Sequence, residues 1–67
     1  MAVAKVTELI CSSRTSFDDA VKQGIKRATK TIDNVTGAWV KEQKVVVDKG
    51  KIVEFRAFIR VTFVLKD

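Results

Sequence analysis

Apolar and polar positions alternate with different periods in different parts of the chain, and the changes of period mark the elements. Residues 3–10 (VAKVTELI) are apolar-rich with Lys5, Thr7 and Glu8 interspersed, which predicts a first strand. Cys11 to Thr15 is small and polar and predicts a loop. The period then becomes helical. Phe17, Ala20, Val21, Gly24, Ile25, Ala28 and Ile32 recur at spacings that place them on one stripe. Ser16 stands where an N-cap belongs, with Asp19 three residues later in the capping-box position. Asp18 and Asp19 complement the positive end of the helix dipole, and Lys26, Arg27 and Lys30 the negative end. Gly24 is worth about 1 kcal/mol less than alanine in a helix, so its presence predicts a close backbone approach to the sheet. Asn34 suits a left-handed cap after Ile32 and Asp33.

Residues 35–47 and 52–65 predict two long strands joined at Asp48-Lys49-Gly50-Lys51, a hairpin turn in which glycine takes positive φ. The last strand alternates most regularly: Val53, Phe55, Ala57, Ile59, Val61, Phe63 and Leu65 share a face, which is expected to pack on the helix stripe. A two-residue loop pairs Asp48 with Lys51. Carried on without interruption, that register adds Ala38, Val40 and Val46 to the core face. The opposite face then holds Gly37, Trp39, Lys41, Gln43, Val45 and Val47, facing Ile52, Glu54, Arg56, Phe58, Arg60, Thr62 and Val64. A loop one residue longer would move Trp39 into the core; the shorter loop is preferred. The fold class expected is α+β, in the order β-α-β-β, with a three-stranded antiparallel sheet on one helix and a single domain over residues 1–67.

Size changes the picture. A chain of 67 residues is marginal alone, because a domain near this length buries about 60% of the surface its unfolded chain exposes. Such folds need a staple: disulfides, a metal or partner subunits. One cysteine, Cys11, allows no intrachain disulfide, and the absence of histidine makes a structural zinc site improbable. Association with further copies remains. The second face of the sheet points the same way, since one helix cannot cover it, and uncovered apolar strands such as Lys44-Val45-Val46-Val47 invite association. Trp39, Val45, Phe58 and Arg60 are the expected interface residues.

Chemistry is sparse. Without histidine there is no Cys-His nucleophile, and paired carboxylates, a Gly-rich phosphate loop and metal-ligand spacings are missing too, so an enzyme is not expected. No apolar run approaches the roughly 18 residues of a membrane span. The first residues lack a signal peptide's apolar core, so a cytoplasmic protein is expected. The net charge of +5 and the row Lys22, Lys26 and Lys30 raise a nucleic-acid-binding module as an outside alternative, although no recognised binding motif accompanies them.

The order of a strand, a Ser-rich loop, an "SFDDAV" helix, "TIDNV", a long hairpin and "EFRAFIRVTFVL" resembles the dodecins from about Val3 to Leu65. The resemblance implies a homo-oligomer, a hollow dodecamer, that binds and sequesters flavin (FMN or riboflavin) as planar rings stacked between tryptophans. It also implies that the family's stacking tryptophan falls on Gly37 and its flavin-binding glutamine on Arg56, with Trp39 two residues beyond the expected ring. Gly37, Trp39, Gln43 and Arg56 are thus the candidate ligand-binding residues. Replacement of both contacts is similar to the flavin-free branch of the family, for which a cation such as calcium, or a purely structural shell, is the implied alternative.

Overall fold

A computed structural model describes residues 3–66. Met1, Ala2 and Asp67, and with them the expected domain limits at 1 and 67, lie outside the described residues. Strand β1 spans Val3–Ser13, helix α1 Phe17–Thr31, β2 Val35–Asp48 and β3 Lys51–Leu65. The sheet order is β1-β3-β2, and β3 is antiparallel to both neighbours. β1 and β2 therefore run parallel as the two edges. The helix makes the crossover between them, and the hairpin returns β3 into the gap.

The local signals act largely as expected. Ser16 is extended at φ −170°, and its Oγ accepts from the Asp19 N–H at 3.0 Å. The Asp19 side chain does not close a capping box. It accepts instead from the Ser13 hydroxyl at 2.6 Å, while Ser13 Oγ takes the N–H groups of Thr15 (2.9 Å) and Ser16 (3.4 Å). Ser13, at 8% exposure, thus ties the end of β1 to the start of the helix. For the same reason β1 runs three residues past its expected end: Cys11, Ser12 and Ser13 pair with Ala57, Arg56 and Phe55. Asn34 takes the left-handed conformation at φ 62°. At the hairpin both Lys49 (φ 52°) and Gly50 (φ 78°) do so, the signature of a type I′ turn.

The helix stripe lies on β1 and β3. Cys11, Ala20, Ala57, Ile59 and Val61 are buried, and Leu9, Val21, Ile25 and Val35 pack around them. Phe17 meets Phe55 edge-on, with centroids 5.1 Å apart. Gly24 explains how the helix comes so close: a Cβ there would fall 2.0 Å from Cys11 Sγ. The core is thin, with Ile59 and Val61 the largest side chains removed fully from water. Along β2 just Val35, Val45 and Val46 are even partly buried.

The register departs from the uninterrupted one at three bulges. Asp48 faces Lys51 and Val47 faces Ile52 as expected. The extra residue Val53 then shifts the ladder, so that Val46 faces Glu54, Val45 faces Phe55, Lys44 faces Arg56, Gln43 faces Ala57 and Glu42 faces Phe58. A second bulge at Lys41 restores the expected pairs Val40–Ile59, Trp39–Arg60, Ala38–Val61 and Gly37–Thr62, and a third falls at Thr36. Directly paired residues share a face. Gln43 and Val45 therefore lie on the helix side rather than the opposite face, and Val46 lies opposite the helix rather than in the core.

Candidate functional site

The candidate site is the sheet face away from the helix. β1 contributes Val6, Glu8, Ile10 and Ser12, β3 contributes Glu54, Arg56, Phe58, Arg60 and Thr62, and β2 contributes Gly37, Trp39, Glu42 and Lys44. Of the residues expected here, Gly37, Trp39, Arg56, Phe58 and Arg60 are brought together on this face. Gln43 and Val45 are not.

Two ionic groups organise the face. Arg60 Nε donates to Glu8 Oε2 at 3.3 Å, and Lys41 Nζ lies 3.7 Å from the same oxygen. Glu8 on β1 thus holds a residue from each of the other two strands. The second group lies toward the hairpin, where Arg56 Nε donates to Glu54 Oε1 at 2.8 Å. The hydrogen bond from Arg56, with a smaller contribution from Ser12, holds the Glu54 carboxyl below its ordinary value of 4.5. Between the groups, Lys44 Nζ sits 6.0 Å from the centroid of the Phe58 ring, within cation–π reach. These groups are half-buried or exposed and open to solvent screening, so each pair is worth little in isolation; their value is in fixing where the arginines point.

The apolar members are open. Trp39 is 47% exposed, Val6 45% and Ile10 64%. At Gly37 nothing lies within 4 Å of where a side chain would begin. The ring position implied by the resemblance is therefore empty space on this chain. Arg56 can donate hydrogen bonds but has no acceptor, and its Nε is committed to Glu54. Glu8, Lys41 and Ser12 were not singled out from sequence. The period-two run Val6-Glu8-Ile10 does place Glu8 on this face, but its partners are far away in the chain.

A model of the dodecin family matches residues 3–66. The chain belongs to the dodecin family. Among curated proteins it is similar to calcium dodecin of Mycobacterium tuberculosis (strain ATCC 25618 / H37Rv), at 32% identity over 66 residues, covering 98% of this chain and 93% of that protein. Among solved structures it is similar to dodecin from Streptomyces davaonensis, with a TM-score of 0.93 at 27% identity over 98% of this chain and 97% of the other. It is also similar to the crystal structure of the calcium-chelating antigen calcium dodecin from M. tuberculosis, described as having a novel calcium-binding site. That likeness has a TM-score of 0.83 at 35% identity over 96% of this chain and 91% of the other. The β-α-β-β dodecin fold is thus common to all of them. No helix among the described residues is long and apolar enough to cross a membrane.

The two ligands implied by the sequence resemblance make different demands on these residues. For a flavin stacked on this face, the donor set does not fit: Gly37 offers no ring, and Arg56 offers no acceptor. For a calcium ion, which takes six to eight oxygens, one chain does not suffice. Among the described residues no three acidic side chains converge, and Glu8 and Glu54 already face cations.

Proposed function

We propose that this chain is a non-enzymatic, shell-forming dodecin whose ligand class is not a stacked flavin. Its homo-oligomer is a hollow dodecamer, and any cation such as calcium is held by oxygens that different copies bring together. The observation that carries the reading is Gly37: bare, on the sheet face away from the helix, with nothing within 4 Å of its missing side chain. Arg56, committed to Glu54 at 2.8 Å, supports it from the neighbouring strand. Likeness to calcium dodecin supports a cation in place of flavin. Assembly is supported by the thin core and by β2, most of which the helix leaves uncovered, from Thr36 to Lys44 on both faces.

The test is a titration with riboflavin and FMN followed by flavin fluorescence. Losing stacking of about 1–3 kcal/mol per ring weakens binding roughly 5- to 150-fold per contact, so the affinity falls well below that of dodecins bearing tryptophan at position 37. Submicromolar binding by the unaltered protein refutes the proposal. Gly37→Trp with Arg56→Gln creates the site if the positions correspond. Calorimetric titration with calcium against magnesium tests the cation in parallel. A second reading, flavin sequestration, has one observation in its favour, the exposed Trp39 ring on the same face. Under it, residual quenching disappears in Trp39→Ala.

A further inference from the structure

The bulges at Val53 and Lys41 lie on opposite strands and cancel. On either side of them β2 and β3 keep one register: Asp48 with Lys51 and Val47 with Ile52 at the hairpin, and Val40 with Ile59 through Gly37 with Thr62 beyond Lys41. Between the bulges, residues 42–46 are displaced by one position. The uninterrupted ladder would instead pair Val46 with Val53, Val45 with Glu54, Lys44 with Phe55, Gln43 with Arg56, Glu42 with Ala57 and Lys41 with Phe58. Slipping into it moves nothing at either end. It also leaves the β1–β3 ladder intact, because β2 is an edge strand.

Register is strongly specified where a slip exchanges buried apolar side chains for polar ones. Here it does not. The segment reads Lys41-Glu42-Gln43-Lys44-Val45-Val46-Val47, so a one-residue slip replaces polar with polar and valine with valine on each face. Val45 and Val46 are both half-buried, and residues 41–44 are exposed. The remaining differences oppose each other. The bulged register sets Lys44 against Arg56, like charges that repel, and leaves Lys41 and Val53 outside the ladder. In return it places Lys44 Nζ 6.0 Å from the Phe58 centroid and adds the twist that bulges confer. The uninterrupted register pairs every residue and sets the Gln43 amide against Arg56, but it loses the ring contact and turns Lys44 toward the helix side.

We propose that residues 42–46 of β2 exchange between these two registers, with the bulged one predominating. The register then selects what stands beside Arg56 on the candidate site: the Lys44 ammonium, a donor alone, or the Gln43 amide, a donor and an acceptor. The inference goes beyond the shell and ligand reading and stands whether or not that reading holds.

Methyl relaxation dispersion of the unaltered, valine-labelled protein reads the exchange, which belongs to the μs–ms range of collective register shifts. Dispersion is expected at Val45 and Val46, with little at Val40 and Val47, whose partners are the same in both registers. Equal dispersion at all four is fraying of the whole hairpin and overturns the proposal. Lys44→Glu sets opposite charges face to face in the bulged register and lowers the dispersion at Val45 and Val46 several-fold; an unchanged profile counts against it. A minor state too rare for dispersion is decided by trapping. In Cys11→Ala protein, Lys44→Cys with Arg56→Cys places two thiols face to face in the bulged register, and Gln43→Cys with Arg56→Cys does so in the uninterrupted one. Under mild oxidation both pairs close within one chain, the second about 10- to 1000-fold more slowly, as a minor population of roughly 0.1–10% requires. A folded Gln43→Cys/Arg56→Cys protein that stays reduced while the other pair closes refutes the exchange.

Discussion

Replacing Gly24 by alanine should destabilise the protein even though it improves the helix. Alanine in a helix interior gains about 1 kcal/mol over glycine. Against this, the added Cβ would sit 2.0 Å from Cys11 Sγ, 3.2 Å from Cys11 Cβ and 3.5 Å from Ile59 Cδ1. Carbon atoms at rest keep about 3.5–4.0 Å, so the thiol contact is impossible, the second is tight and the third ordinary. Relief requires the helix to lift from β1 or the thiol to leave its rotamer, and so short a contact puts the overpacking cost in the upper part of its usual range, about 2–3 kcal/mol. The net expectation for Gly24→Ala is a loss of about 1–2 kcal/mol. Cys11→Ala removes the clashing sulfur and by itself loses about 1 kcal/mol of packing. In the double variant the sulfur clash is gone, the 3.2 Å contact with the Cβ at position 11 is left, and the helix gain remains, so the pair should be about as stable as Cys11→Ala alone, a favourable coupling of about 1–3 kcal/mol. Urea unfolding followed by circular dichroism measures this, with every variant at one protomer concentration because association adds to apparent stability. A Gly24→Ala protein as stable as the parent, or a double variant no better than the sum of its parts, would refute the account of the helix–sheet approach.

Other expectations follow from single sites. Glu54 has a depressed folded pKa, so whatever stability its bond to Arg56 contributes is fully present above the ordinary value of 4.5 and is lost as the pH falls through the folded value; carbon-detected NMR of the carboxyl should show its midpoint returning toward 4.5 in Arg56→Gln. Lys49 carries a side chain at φ 52°, where asparagine is tolerated better, so Lys49→Asn should raise stability by about 0.5–1 kcal/mol in thermal melts. Lys22, Lys26 and Lys30 are all exposed on the helix. Their neutralisation should leave the sedimentation profile unchanged and abolish a weak DNA attraction that otherwise appears at low salt and vanishes near physiological ionic strength; sequence-preferring binding that survives there would support the nucleic-acid reading instead.

The elements of this protein were legible because their signals are local. Ser16, the stripe from Phe17 to Ile32, Asn34, the Lys49-Gly50 turn and the alternation from Phe55 to Leu65 each act over a few residues, and each occupies its expected place, whereas Val53, expected on the core face, is the unpaired bulge residue. Gly24 was legible for a related reason: a residue that weakens its own helix must answer to something outside it, here Cys11. The bulges at Val53, Lys41 and Thr36 were not legible. A bulge is a choice between two nearly equal hydrogen-bond registers, decided by packing along both strands, and it leaves no composition behind. That choice turned Gln43 and Val45 to the helix side and Val46 away from it. Ser13 and Cys11 joined β1 because β3 supplied partners for them, and Ser13 rather than the capping residue received Asp19. The junction of Glu8 with Arg60 and Lys41 depends on three strands meeting, and the exposure of β2 on both faces depends on where the helix comes to rest. Those are properties of contacts between distant residues, so the tertiary structure alone decided them.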